Sequence, residues 1–245
     1  MSFEDDEAAL LGHPSYVWRL GQERRLALIS RYAPLQDRRI LDVGCGIGTY
    51  VDKLRQFSGQ VYGIDIDTGR ISEGAGSLPN LLAAEAERPP FVSGSFDVIL
   101  LHEVLEHVRD DHQVVAEAYR LLAPGGRMVI FAPNRLYPFE THGIYWRGNY
   151  RFGNFPFVNY LPGSWRRRLC PHVRVYSAAD LKALLRDLDH RIVVHTQIYP
   201  GYDNVSARYP SLGSALRIIT HSLEGTPLRI FGLSHLLVIE KATVS

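Results

Sequence analysis

Five short apolar runs, set at intervals along the first half of the chain, constrain its fold more than any other feature. They are 39–43 (RILDV), 60–64 (QVYGI), 80–84 (NLLAA), 96–101 (FDVILL) and 127–132 (RMVIFA). Each is too short for an ordinary helix and almost continuous in apolar residues, the pattern of a strand buried on both faces. The third is the weakest, because alanine is a poor strand former. Helical stretches separate them: 50–56, 68–74, and the amphipathic 110–122, with Asp110 or Asp111 available as cap and Pro124-Gly125-Gly126 as stop. Strands alternating with helices give a parallel sheet covered on both faces, so a doubly wound α/β architecture is expected. Strands at 191–199 and 236–241 bring the sheet to seven. Helices are expected at 177–188, with Ser177 and Asp180 as a capping box, and at 211–223.

A chain of 245 residues is long for one domain and short for two, so a single domain over 1–245 with an insertion is expected. With 46% hydrophobic and 22% charged residues it can bury a full core unaided. The net charge of +1 supplies no global field toward nucleic acid, and no nucleic-acid partner is expected. Two distant cysteines, Cys45 and Cys170, make neither a disulfide framework nor a zinc pattern. An acidic stretch at 1–9, unlike a signal peptide, and the lack of any apolar run of roughly 20 residues point to a cytoplasmic protein.

Two segments stand outside the alternation. Residues 1–36 read as an N-terminal helical cap: a loose leader, then a helix over 14–32 with Pro14 in its first turn and apolar pairs Val17/Leu20 and Leu26/Ile29. Residues 134–175 are crowded with aromatics and arginines against a single acid, Glu140. A loop this long inside a domain is functional or disordered, and so many aromatics argue against disorder. Within it, 161–169 (LPGSWRRRL) mixes a basic run with apolar anchors. Three readings stay open: peripheral contact with anionic lipid headgroups, a clamp on a substrate phosphate or carboxylate, or a solvated arginine run beside a buried tryptophan.

The first strand runs directly into Asp42-Val43-Gly44-Cys45-Gly46-Ile47-Gly48. The glycines let the backbone bend tightly and approach a ligand. The spacing differs from the dinucleotide fingerprint GxGxxG, whose third glycine falls later. In order along the chain follow GID (63–65), GSFDVIL (94–100), EVLEHV (103–108) and LAPGG (122–126). Together these resemble the motifs of the class I S-adenosylmethionine (SAM) dependent methyltransferases, closely over 38–133 and loosely elsewhere. The resemblance implies a Rossmann-like sheet whose last strand is antiparallel, and a SAM site at the glycine loop. Gly44, Cys45, Gly46 and Gly48 would pass under the methionine part, with Asp42 supporting the loop and the ligand's amino group. Asp65 lies 23 residues after Asp42 at the end of the second strand, where a bidentate carboxylate suits two vicinal ribose hydroxyls. Asp67 is its rival, and Ile66 belongs to the same stretch. Glu85 takes the place of the usual aspartate that accepts from the adenine amino group, with Ala86 beside it. His102 would border the methionine moiety.

SAM carries an activated methyl, so such an enzyme must chiefly align the acceptor, and a base is helpful rather than obligatory. Candidate bases cluster after the fourth strand, at His102, Glu103, Glu106 and His107, with His142 and His172 in the insertion; His107 and His142 lead, and His107 can equally serve to orient its loop. Glu103, Glu106 and His107 stand at i, i+3 and i+4 and would share a face of a helical turn. That trio resembles the ExxEH motif of the metal-dependent ubiquinone-pathway O-methyltransferases and of small-RNA 2′-O-methyltransferases. EVLEHV also occurs in metal-free relatives, so a divalent metal stays a secondary expectation. The insertion at 134–175 falls where the family builds its acceptor pocket, and the N-terminal segment around Tyr16, Trp18 and Arg19 would close over the cofactor. The expected activity is methyl transfer to a small-molecule acceptor, on a hydroxyl of a lipid-linked, aromatic or sugar-type compound. The alternatives are a non-catalytic SAM-binding regulator and, disfavoured by the glycine spacing, an NAD-dependent oxidoreductase.

Overall fold

The computed structural model of the chain describes residues 17–243. The leader and Tyr16, and with them the start of the expected cap helix, lie outside the described residues. The first described helix is α1 (Leu20–Tyr32), followed by β1 (Ile40–Val43), α2 (Thr49–Leu54), β2 (Val61–Asp65), α3 (Thr68–Ala75), β3 (Leu81–Ala83), β4 (Phe96–His102), α4 (Asp111–Leu121) and β5 (Leu122–Pro133). Side chains cap the helices where the sequence offers them. Asp67 accepts from the amides of Gly69 and Arg70 at the start of α3, and Asp110 accepts from Gln113 N at the start of α4. Pro124-Gly125-Gly126 does not lie beyond the helix in a loop. It sits inside β5, where the pairing with β4 shifts register between Phe96 and Val98.

The aromatic insertion is ordered into small elements: β6 (Phe139–Glu140), β7 (Ile144–Trp146), β8 (Asn149–Arg151), β9 (Phe155–Pro156), a 3-10 turn at Val158–Tyr160 and α5 (Gly163–Leu169). β6 pairs with β9 and β7 with β8, both antiparallel. Ile144, Val158, Cys170 and Val173 form its own small core. In 161–169, the reading of solvated arginines beside a buried tryptophan holds for the exposed Arg167 and Arg168 and fails for Trp165 and Arg166. Trp165 is 63% exposed and Arg166 only 4% exposed, because a short helix with one inward face turned Arg166 to the lone acid Glu140.

The chain continues through α6 (Ala178–Leu184), β10 (His190–Ile198), α7 (Asp203–Arg208), α8 (Pro210–Leu223), a 3-10 turn at Pro227–Phe231 and β11 (Ser234–Lys241). Ser177 and Asp180 form the expected capping box. α6 ends earlier than expected, where Leu185 N turns back to Lys182 O. The sheet runs β10-β11-β5-β4-β1-β2-β3. β1, β2, β3, β4 and β5 are parallel, while β11 is antiparallel to both β5 and β10. This is the seven-stranded, Rossmann-like sheet with its antiparallel last strand.

Alternate residues of each strand divide the core into two layers. Leu41, Val43, Ile99 and Leu101 face α4 and α6, packing with Val115, Leu121 and Leu181. Ile40, Val98, Leu100 and Phe131 face the other way, onto Leu26 and Ile29 of α1 and Val51 and Leu54 of α2. Burial of each such side chain contributes about 1.5–3 kcal/mol. Among the described residues, no helix is long and apolar enough to cross a membrane.

Candidate functional site

The glycine loop leaves β1 and is pinned by two amides, Gly44 N and Cys45 N, both donating to Ile64 O at 2.8 and 2.9 Å. Gly44, Gly46 and Gly48 have φ of +71°, +57° and +88°, the region that L side chains enter at a cost. A Cβ on Gly44 would lie 2.5 Å from a methyl of Val104, whereas one on Gly46 would meet nothing within 4 Å. The loop is therefore closed against the protein at Gly44 and open at Gly46.

Asp65 ends β2 and faces the same loop. Its Oδ2 accepts from Gly46 N at 2.8 Å and its Oδ1 from Asp67 N at 2.9 Å. Asp67 is consumed as the cap of α3 and by an ion pair with Arg70 at 3.1 Å. A cavity of about 900 Å³ opens at the carboxyl ends of these strands, lined by Gly44, Asp65, Ile66, Glu85, Ala86 and Val104 among others. Asp42 lies buried beneath it, where burial and the Asp65 carboxylate push it up to about 8. Asp42, Cys45, Gly46, Gly48 and His102 are not among the residues that line the cavity. Cys45 is a core residue: its Sγ occupies the space where a Cβ on Gly63 would stand, 2.7 Å away. Burial pushes its thiol well above the ordinary range.

His102 is enclosed by other groups. Its Nε2 is 2.6 Å from Arg25 Nη1, and its ring packs on Tyr50 at 4.5 Å and Phe131 at 5.2 Å. Burial and the Arg25 charge hold it down at about 3, so it is a neutral ring. Glu103 follows with φ of +56°. Its carboxylate pairs with Arg25 at 2.9 Å and accepts from Ser234 Oγ at 3.0 Å. Although burial opposes it, Arg25 holds Glu103 below the usual carboxylate range.

The expected trio of Glu103, Glu106 and His107 on one helical face is not what the fold assembles. Residues 103–108 form an irregular turn, closed by His107 N to Val104 O at 3.0 Å. Glu103 turns to Arg25, and His142 from the insertion completes a different group. Donor atoms of Glu106, His107 and His142 lie within 4.8 Å of one another, and the His107 and His142 rings are 5.5 Å apart. Glu106 is 1% exposed, and burial together with the Glu103 carboxylate pushes it well above the usual range.

His142 is held from behind by a buried network that the sequence reading missed. Glu140 Oε1 lies 3.0 Å from His142 Nδ1 and accepts from His142 N at 2.9 Å. Glu140 Oε2 accepts from Arg166 Nη2 at 2.5 Å, and Arg166 also donates to Asn159 Oδ1 and Val173 O. Despite burial, His142 and Arg166 together hold Glu140 at about 2. The available signal was compositional: Glu140 is the last acid before Asp180 in an arginine-rich stretch, and a lone buried charge requires a partner.

A second cavity, of about 670 Å³, lies on the insertion side and is lined by Arg135, Arg167, His172, Arg174 and Tyr176 among others. His107 and Val108 line both cavities. His172 Nε2 donates to His142 O, 3.1 Å away, and burial lowers its pKa. Trp18, in the N-terminal segment, packs edge-on against Tyr50 at 5.1 Å.

Comparison with known proteins places this geometry. Residues 41–130 match the family model described as a methyltransferase domain. The ubiquinone biosynthesis O-methyltransferase of Paracidovorax citrulli is 38% identical over 122 residues, covering 45% of this chain and 50% of that one. The demethylmenaquinone methyltransferase of Beutenbergia cavernae is 32% identical over 148 residues, covering 58% of this chain and 62% of its own. The chain thus spans about half to three fifths of the length of these curated relatives. Among solved structures, a SAM-dependent methyltransferase from Mesorhizobium loti has a TM-score of 0.60 at 17% identity, covering 88% of this chain and 96% of that one. The 4+2 cyclase SpnF has the same TM-score of 0.60 at 16% identity, covering 95% and 85%. At that identity the likeness concerns the fold, and one fold hosts several chemistries.

Proposed function

We propose that this chain, whose residues 41–130 match the family model of a methyltransferase domain, transfers a methyl group from SAM to a hydroxyl of a small, lipid-linked or aromatic acceptor. The observation that carries the reading is the meeting of two cavities at His107 and Val108. One is built on the glycine loop and the strand ends; the other is built by the insertion. Donor and acceptor can then occupy opposite sides of one narrow junction, the arrangement that alignment demands.

The first cavity fits the donor. Gly44 lines it with bare backbone, against which a ligand can lie. Asp65 presents a carboxylate for two vicinal hydroxyls, Ile66 and Ala86 offer apolar walls, and Glu85 offers an acceptor for an amino group. The buried Asp42, pushed up by burial and by the Asp65 carboxylate, is suited to stand beneath a cationic ammonium. SAM, when bound, supplies an activated methyl. The chain's own part is to hold the acceptor in line and to take its proton. His107, which lines both cavities, is the group placed to do so, with His142, fixed by Glu140, packed 5.5 Å behind it. The quinone-related names of the two curated relatives support a phenolic, lipid-linked acceptor, and the first supports oxygen as its atom. A cytoplasmic location goes with this reading and is supported by Cys45 and Cys170, both buried and free.

One observation favours a metal-assisted version: the convergence of Glu106, His107 and His142. Two imidazoles and a carboxylate suit a divalent ion, which would acidify an acceptor hydroxyl. The carboxylate behind His142 matches the way metal-binding histidines are oriented.

Calorimetric titration with SAM and S-adenosylhomocysteine, with magnesium and then with chelator, tests both versions. Micromolar binding of both ligands is expected, with loss of at least about 100-fold in Asp65→Ala. Binding of NAD in place of SAM, or unchanged SAM affinity in Asp65→Ala, would sink the assignment. Turnover abolished by chelator and restored by magnesium would select the metal-assisted version; chelator-insensitive turnover would reject it.

A further inference from the structure

The carboxyl edge of the sheet carries two segments whose exposed apolar side chains no catalytic reading uses. The register fixes their common position. Ser234 of β11 pairs with Pro133, the last residue of β5, and Ile198, the last residue of β10, pairs with Ser234. The insertion therefore leaves the sheet at the same edge to which the α7–α8 excursion returns. Asn134 ties the two together, donating to Ile230 O at 2.8 Å and Gly232 O at 2.7 Å.

Both segments are apolar and basic, with acids only near their starts, Glu140 and Asp203. From Thr141 to Ala179 there is no Asp or Glu, and from Asn204 to Leu223 there is none. In the insertion, Trp146, Phe157 and Trp165 are exposed beside exposed Arg147, Arg151, Arg167 and Arg168. Along α8 only Gly213 is buried, and Leu212, Ile218 and Ile219 are exposed, Ile218 to 73%. A helix normally buries its apolar side; here that side faces outward. The acids that flank α7 and α8 turn inward: Asp203 accepts from Gly21 N at 3.2 Å, and Glu224 pairs with Arg24 and accepts from Tyr199 N at 2.7 Å.

We propose that this edge is a docking surface for an anionic lipid bilayer, with aromatic and aliphatic side chains entering the headgroup boundary and the arginines meeting lipid phosphates. Tryptophan beside arginine suits that boundary. A lipid face also explains why α8 is apolar outward without being long enough to span. The proposal stands on the surface alone and does not depend on methyl transfer.

Co-sedimentation of the full chain with vesicles tests it. The protein should pellet with equal parts phosphatidylglycerol and phosphatidylcholine, not with phosphatidylcholine alone, and should be released by about 0.5 M salt. Arg167→Glu/Arg168→Glu should weaken partitioning by about 30-fold, and Ile218→Ser/Ile219→Ser by about tenfold or more. Circular dichroism confirms that each variant is folded. Failure of the folded wild-type chain to pellet with phosphatidylglycerol overturns the proposal, as do folded variants that pellet like wild type. A dimer in sedimentation velocity that Ile218→Ser/Ile219→Ser dissolves, without vesicle binding, overturns it in favour of a second copy of this chain.

Discussion

Single residues in this site carry opposite electrostatic burdens. Asp42 and Glu106 are carboxyls held up by burial and by a neighbouring carboxylate. A group whose folded value exceeds its unfolded one, about 4, stabilises the fold least where it must ionise. The ligand-free chain should therefore lose stability as pH rises from about 5 to 8. Asp42→Asn and Glu106→Gln should flatten that slope in thermal melts; an unchanged slope in both would contradict it. Glu140 has the opposite sign. It is held at about 2 by His142 and Arg166, so its contribution is full above its unfolded value and disappears as pH falls toward 2. Removing one partner leaves a buried charge alone, and Arg166→Ala should cost about 3–5 kcal/mol in urea unfolding. The apolar double replacement Glu140→Gln/Arg166→Met should cost less, since neither member is then left ionised; an equal or larger cost would contradict that account.

At the scale of elements, the glycine loop separates two costs that are usually confounded. Gly46→Ala meets nothing within 4 Å, so its cost is that of a positive φ alone, about 1–2 kcal/mol. Gly44→Ala adds a collision with Val104 and should destabilise by more. Denaturant melts of the two variants check the order; equal costs would mean that the Val104 contact adds nothing to the backbone strain. The turn after β4 teaches a related lesson. EVLEHV has the i, i+3, i+4 spacing of a shared helical face, but the chain there is not helical, and Glu103 enters the left-handed region to reach Arg25. Spacing predicts neighbours only where the backbone period is known.

In the whole molecule, stability is unevenly distributed. β4, β1 and β5 lie at the centre of the sheet with both faces covered, whereas the insertion closes on a core of four buried residues. Hydrogen exchange should find β5 amides such as Val129 and Ile130 opening only with global unfolding, and those of β7 and β8 opening at markedly lower free energy. Equal protection would mean that the insertion is one cooperative unit with the sheet. By itself the sequence determined the sheet, the glycine loop and the convergence of Gly44, Asp65, Ile66, Glu85 and Ala86 on one cavity, because local apolar runs and tight turns fix strand ends and the topology brings strand ends together. It determined the capping of α4 and α6 for the same local reason. Only the tertiary structure decided that His142 joins Glu106 and His107 while Glu103 pairs with Arg25, that Arg166 is buried while Trp165 is exposed, and that α8 turns its apolar side outward. Those outcomes depend on which distant charges meet and which faces find a neighbour. They are settled by the energy of burying a charge with its partner, to which no local periodicity gives access.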